Sequence, residues 1–331
     1  MNSYLDYDFI NHKEIPSNLK WGNEENSRVD VSILMPIFNH DDYLPLAIRS
    51  CLNQSFSGSY EIVIVDNNHP DIQKNNQKIV ESFSSRRIRY FVNESNVGPI
   101  ENWNRCLILA KGEYLTFCHD DDELLPHTLE KLLLCMKSMT NKKSLIIGNY
   151  NIINGCNSVI KKCGVLFENK YRRFTAFDLF MGNVTNGCGS LYHRESIIGL
   201  GGFKQEYYPS IDYALNSSYL LNFGAVILSE PTFNYRITDI NDSRIVYKEI
   251  AKADKTIRDL LIKRISGWRP FYNIIADSIY IKSMYVNTKK WGREKGLGLK
   301  RMISYYTVSV FISLINIIRI FKHLTSYKSF V

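Results

Sequence analysis

Thr116-Phe117-Cys118-His119-Asp120-Asp121-Asp122-Glu123-Leu124-Leu125-Pro126 sets three consecutive carboxylates directly behind the apolar run Tyr114-Leu115-Thr116-Phe117. A short strand therefore delivers an acidic cluster to its own end. Three adjacent carboxylates repel one another unless a cation or a set of hydrogen-bond donors occupies the space between them. A hard divalent ion is the simplest partner, because Mg²⁺ or Mn²⁺ takes oxygen from one or two carboxylates and completes its shell with water and substrate phosphates. The cluster also reads as a solvated loop capping the helix that Pro126-His127-Thr128-Leu129-Glu130 begins. The neighbouring segments decide between the two.

Upstream, apolar β-branched runs alternate with helical patterns. Val29-Asp30-Val31-Ser32-Ile33-Leu34-Met35-Pro36 ends on proline as a buried strand does, and Ile37-Phe38-Asn39-His40 turns the chain. Residues 41–52 predict a helix with acids at its start and apolar residues at Leu44, Ile48 and Leu52. Tyr60-Glu61-Ile62-Val63-Ile64-Val65 is a second buried strand, ended by Asp66-Asn67-Asn68-His69-Pro70. The spacing of the two strands, about 30 residues, is that of a βαβ unit with a parallel sheet. Residues 73–83 predict a helix, 87–92 a strand, 100–110 a helix after the turn Asn96-Val97-Gly98-Pro99, and 113–117 the strand that reaches the aspartates. Phe38-Asn39, Asp66-Asn67-Asn68 and Asp120-Asp121-Asp122 thus fall at the C-terminal ends of predicted parallel strands, the edge at which open α/β sheets bind ligands.

The chain has 331 residues, 45% hydrophobic and 22% charged, enough for one large α/β domain with an appendage or for two domains. Its seven cysteines include no C-x-x-C pair, so neither a zinc site nor a disulfide framework is expected. Met1-Asn2-Ser3-Tyr4-Leu5-Asp6-Tyr7-Asp8 has no basic and no apolar region of a secretory signal, which predicts a cytoplasmic chain. The net charge of +8 is unevenly placed: residues 282–331 hold ten Lys and Arg against the single acid Glu294. Such a tail suits an anionic surface met by one element, and its largely apolar character argues against nucleic acid. Residues 302–318 carry no charge over 17 positions, short of the roughly 20 a spanning helix needs. With Lys300, Arg301, Arg319 and Lys322 at its ends, the segment reads as a basic amphipathic helix lying in an anionic membrane interface. A core-facing or homodimer-forming helix and a true span are the alternatives.

Val31-Ser32-Ile33-Leu34-Met35-Pro36-Ile37-Phe38-Asn39, Ser50-Cys51-Leu52-Asn53-Gln54-Ser55-Phe56, the run from Glu61 to Asp66, and Lys111-Gly112-Glu113-Tyr114 leading to His119-Asp120-Asp121-Asp122 together resemble inverting family 2 glycosyltransferases of the GT-A fold. Asn102-Trp103-Asn104 before Ala110-Lys111-Gly112 resembles a bacterial subgroup that builds surface polysaccharides such as O-antigen or capsule. The resemblance implies an α/β, Rossmann-like, mostly parallel central sheet with flanking helices in a GT-A domain at 29–245, with a nucleotide-binding half at 29–126 and an acceptor half at 127–245. Residues 1–28 are then an extended or weakly helical lead-in, and 246–331 a helical, membrane-associating extension.

By the same resemblance, Pro36, Phe38 and Asn39 flank the nucleotide base, and Asp66 and Asn67 read the pyrimidine and ribose, with Asn67 standing where a second Asp is common. Asn96, Gly98 and Asn104 join the donor-binding group. Asp120 and Asp122 are the D-x-D positions, with Asp121 between them, binding Mn²⁺ or Mg²⁺ and the nucleotide diphosphate. Gly201-Gly202-Phe203 followed by Ser210-Ile211-Asp212 marks Asp212 as the general base, with Glu206 as the fallback. Asn186, Gly187 and Cys188 border the donor sugar and acceptor, and Arg236 lies in a Tyr-Arg-x-His-like segment whose last position is Thr238. The implied reaction moves a sugar from a nucleotide donor, a UDP-sugar before a dTDP- or GDP-sugar, onto a lipid-linked saccharide at the inner face of the cytoplasmic membrane. A nucleotidyltransferase and an inactive sugar- or lipid-binding module are the rival readings; the first lacks a Gly-rich, basic triphosphate loop in residues 36–45.

Overall fold

A computed structural model describes residues 15–23, 28–39, 42–162, 169–182, 187–238, 247–264, 272–280 and 283. These fall into two compact units, the first comprising residues up to 175 with 184–207 and 211–239, the second the remainder. The basic tail read from the sequence lies outside the described residues, among which no helix is long and apolar enough to cross a membrane.

The first unit is built on two sheets. Strands β1 (Ser17–Trp21), β2 (Val29–Ile37), β3 (Tyr60–Asp66), β4 (Ile88–Asn93) and β5 (Gly112–Phe117) form the larger sheet with β10 (Tyr192–His193). The spatial order is β1-β4-β3-β2-β5-β10, with β2 to β5 parallel and both edges antiparallel. Every residue of β3 and β4 is buried, as in a sheet covered on both faces. The crossovers are helices α1 (Leu44–Leu52), α2 (Pro70–Ser82) and α3 (Pro99–Leu109), each with a proline in its first turn, where a missing N–H costs nothing.

β1 is an addition to the sequence reading of residues 1–28. Its residues alternate between half-buried and exposed, and Ser17 Oγ donates to Asn93 Oδ1 at 2.7 Å, so a largely polar segment still completes the sheet edge. The smaller sheet orders β6 (Glu123–Leu124), β11 (Ala225–Ile237), β7 (Leu145–Asn154) and β8 (Val159–Lys161), with β9 (Tyr171–Phe174) also on β11. Helices α4 (Thr128–Ser138), α6 (Arg194–Gly199) and α7 (Ile211–Phe223) belong to this unit.

In the second unit, α5 (Ala176–Met181) and α8 (Tyr247–Ile262) are joined by Arg258 Nε donating to the Phe180 carbonyl at 3.0 Å. Ser210 Oγ donates to Asp254 Oδ1 at 2.7 Å.

Candidate active site

The three polar clusters meet at one sheet edge. The amide of Phe38, just past β2, donates to Asp120 Oδ2 at 2.9 Å, and the amide of Asn39 donates to Asn68 Oδ1 at 2.8 Å. Asn39 adopts φ 61°, a left-handed conformation that asparagine tolerates better than most residues. Pro36 is buried within β2, whereas the Phe38 ring is 45% exposed, as a surface for a planar ligand requires.

Asp66 and Asn67 are buried, and their polar atoms are already occupied. Asp66 Oδ1 accepts from Asn68 N at 2.9 Å and Asn68 Nδ2 at 2.8 Å, while Oδ2 accepts from Asn76 Nδ2 at 2.9 Å and Tyr90 OH at 2.7 Å. Burial, reinforced by the Asp66 charge, pushes the Tyr90 phenol far above its ordinary range. Asn67 Oδ1 accepts from Asn93 Nδ2 and Val97 N, both at 2.9 Å, and Asn67 Nδ2 donates to Asn96 Oδ1 at 2.9 Å. Asn96 Oδ1 accepts from Gly98 N at 2.8 Å, and Gly98, with φ 82°, begins α3. This asparagine network shapes the sheet edge from within, a use of Asp66 and Asn67 that composition and spacing did not disclose.

The acidic turn is fixed from the opposite side. Asp122 is fully buried, its Oδ1 accepts from Arg236 N at 2.8 Å, and its Oδ2 faces His119 Nδ1 at 3.0 Å without a properly directed hydrogen bond. The ligand atoms of His119, Asp121 and Asp122 lie within 4.8 Å of one another. His119 Nε2 is buried with no hydrogen-bond partner among the described residues. Burial opposes a charge on the imidazole, but the contact with Asp122 and the charge of Asp121 outweigh it and raise its pKa to about 9. Two hard carboxylates with an under-satisfied buried oxygen between them suit Mn²⁺ or Mg²⁺, and the imidazole can join them as a donor once a bound cation displaces its proton. Asp120 Oδ2 also accepts from the Phe38 amide, which ties the turn to the end of β2. His119 was not singled out from the sequence as a candidate ligand, although its i, i+3 spacing to Asp122 was open to view.

Arg236 is completely buried and braces this turn. Nε donates to the Asp121 carbonyl at 2.6 Å, the Nη2 nitrogen pairs with Glu123, and the Nη1 nitrogen donates to the Asn154 carbonyl at 3.1 Å and to Asn157 Oδ1. With its donors turned to the protein, the guanidinium positions the acidic turn. Asn104 acts similarly: both ends of its buried amide hold the Phe203 backbone, at 3.0 Å and 2.9 Å.

From His119 an aromatic group leads towards α7. Trp103 packs on His119, Phe117 and Phe203, Phe117 meets Tyr192 at 5.9 Å between ring centroids, and Tyr192 OH donates to Asn216 Oδ1 at 2.7 Å. Burial, then the charge of Asp212, raises the Tyr192 phenol far above its ordinary range. Asp212 is half-buried in the first turn of α7, where Oδ1 accepts from Tyr213 N at 2.8 Å. Glu206 is exposed on the 3₁₀ turn Gln205–Tyr207. Gly187 and Cys188 are buried behind Phe117, with Cys188 bridged to it and its thiol pushed up by burial; Asn186 lies outside the described residues.

A family model described as glycosyl transferase family 2 matches residues 32–200. The UDP-Glc:alpha-D-GlcNAc-diphosphoundecaprenol beta-1,3-glucosyltransferase WfgD of Escherichia coli is 25% identical over 235 residues, covering 70% of this chain and 86% of that protein. Among solved structures, TarS of S. aureus in complex with UDP-GlcNAc superimposes with a TM-score of 0.60 at 15% identity, covering 84% of this chain and 79% of that one. A mannosyltransferase from Pyrobaculum calidifontis in complex with GDP-Man and Mn²⁺ gives 0.56 at 11% identity, covering 91% and 83%. The last two likenesses establish the GT-A fold.

Proposed function

Because this chain belongs to glycosyl transferase family 2, we propose that it moves one sugar, with inversion, from a UDP-sugar onto a hydroxyl of a lipid-linked saccharide. The observation that carries this reading is the convergence of His119, Asp121 and Asp122 at the end of β5, beside Phe38 and braced by Arg236. Asp122, Asp121 and His119 would hold a divalent cation, and Asp120 fixes Phe38 next to them. When bound, that cation neutralises the charge that develops on the departing nucleoside diphosphate.

The asparagine network fixes the loop that borders the base, and Phe38 offers its exposed ring to it. Asp212 takes the proton from the attacking acceptor hydroxyl as the new bond forms at the anomeric carbon and the bond to the diphosphate oxygen breaks on the opposite face. The lipid-linked acceptor is supported by the diphosphoundecaprenol substrate named for the Escherichia coli relative and by the basic, uncharged-centred tail in the sequence. Both features support a role in surface-polysaccharide synthesis at the inner face of the cytoplasmic membrane.

The test is a thermal-unfolding screen of UDP-, dTDP- and GDP-sugars with Mn²⁺ and with EDTA. A metal-dependent rise in melting temperature with UDP-sugars is expected. No rise with any nucleotide sugar in the presence of metal would overturn the reading.

A further inference from the structure

We propose that Trp103 is the platform on which the transferred sugar rests, and hence a specificity-determining residue; this inference rests on the donor reading above. The indole stands on α3 and is fixed by three rings: Phe117 at 5.0 Å and 37°, His119 at 5.1 Å and 68°, and Phe203 at 5.0 Å and 68°. His119 opens the acidic turn assigned to the leaving diphosphate. Phe203 closes the Gly201-Gly202-Phe203 turn, whose backbone Asn104, the residue after Trp103, holds from both sides. The ring therefore stands between the turn that receives the leaving group and the turn that precedes the base. An in-line displacement needs the anomeric carbon in that interval.

The packing around the indole also points to a ligand. Phe117 and Phe203 are buried to 0% and 1% exposure, whereas Trp103 is only half-buried and packs on His119 of the acidic turn. On the side of the Gly-rich turn, a Cβ on Gly187 would stand 3.8 Å from Trp103 Cζ3 and 3.6 Å from Phe117 Cδ2, so that turn closes against the same ring edge. Phe117 packs on the indole at the shallowest of the three ring angles, and the half-buried indole keeps part of its surface for a flat, weakly polar ligand. Pyranose C–H bonds carry partial positive charge and match the negative face of an aromatic ring. The indole is rigid and already locked by its neighbours, so little side-chain freedom is lost when a sugar stacks on it.

Fluorotryptophan labelling of the full chain gives one fluorine resonance for each of its four tryptophans, with Trp103 assigned by Trp103→Phe. The chain is titrated in Mn²⁺ with UDP and then with UDP-glucose. UDP-glucose is expected to move the Trp103 resonance beyond the position reached with UDP, the other three resonances responding alike to both. Trp103→Ala should weaken UDP-glucose about tenfold while leaving UDP within about twofold, and Trp103→Phe should retain most of the affinity. Identical Trp103 shifts with UDP and UDP-glucose, or equal weakening of both ligands in Trp103→Ala, overturn this inference and leave the donor reading standing. If neither ligand moves any resonance, the donor reading falls and this inference with it. The titration of the unsubstituted chain decides the matter even where Trp103→Ala does not fold.

Discussion

The backbone N–H of Arg236 donates to Asp122 Oδ1 at 2.8 Å, joining the acidic turn to a strand 114 residues further along the chain. The guanidinium of the same residue holds the Asp121 carbonyl and Glu123. A single buried side chain therefore sets the shape of the turn proposed to hold the cation. Lysine in its place keeps a charge but loses the planar fork. Arg236→Lys is expected to weaken Mn²⁺ binding by about 10- to 100-fold, as loss of a ligand-orienting partner does. Calorimetric titration of the folded variant measures this, and an unchanged Mn²⁺ affinity would show that the turn holds its shape without the fork.

Asp212 accepts from Tyr213 N at the start of α7, so an amide oxygen in its place can keep that bond while the side chain loses its capacity to take a proton. Asp212→Asn should lower kcat by about 10²- to 10⁴-fold. The dissociation constant for the UDP-sugar should stay near that of the parent chain. A loss of donor affinity instead would place Asp212 in the nucleotide site.

At position 67 the amide group is needed as an amide. Its oxygen accepts from Asn93 and Val97, and its nitrogen donates to Asn96 Oδ1, which cannot turn away because it also accepts from Gly98 N. Asn67→Asp sets an oxygen against an oxygen in a buried place. The expected cost is about 1–3 kcal/mol of folding stability, read by urea unfolding. A neutral result would mean that the asparagine network relaxes at no cost.

Much of the sheet was legible because β2 to β5 are continuous apolar runs that local pattern alone can identify, and because Phe38, Asp66 and Asp120 follow directly on strand ends. Position along a strand therefore fixed which residues share an edge. What each does there was less visible, since Asp66 and Asn67 are engaged by Asn76, Tyr90, Asn93 and Asn96, partners set by the crossings of α2, α3 and β4. Arg236 was placed beside the acceptor from its motif, while the parallel pairing of β11 with β7 and the contact of β11 with β6 bring it under the acidic turn. Ser17–Trp21 escaped notice because an edge strand needs only every second residue to face inward.

At the opposite end of the sheet, a buried carboxylate ties three strands together. Glu61 on β3 accepts from Ser32 Oγ at 2.6 Å, Lys111 N at 2.7 Å and Arg89 Nη1 at 3.0 Å, and Gly112 N in turn donates to Ser32 Oγ at 2.8 Å. Glu61 and Arg89 are only 5% and 8% exposed, so removing the acid leaves a guanidinium buried without its counter-charge. Glu61→Ala is expected to cost about 3–5 kcal/mol, measured by urea unfolding. Replacing both partners, Glu61→Leu with Arg89→Met, removes the stranded charge and should recover part of that loss. It should not recover all of it, because the Lys111 amide and the Ser32 hydroxyl would still lack their acceptor. A double variant no more stable than Glu61→Ala would show that the charge pair is not what the alanine variant loses.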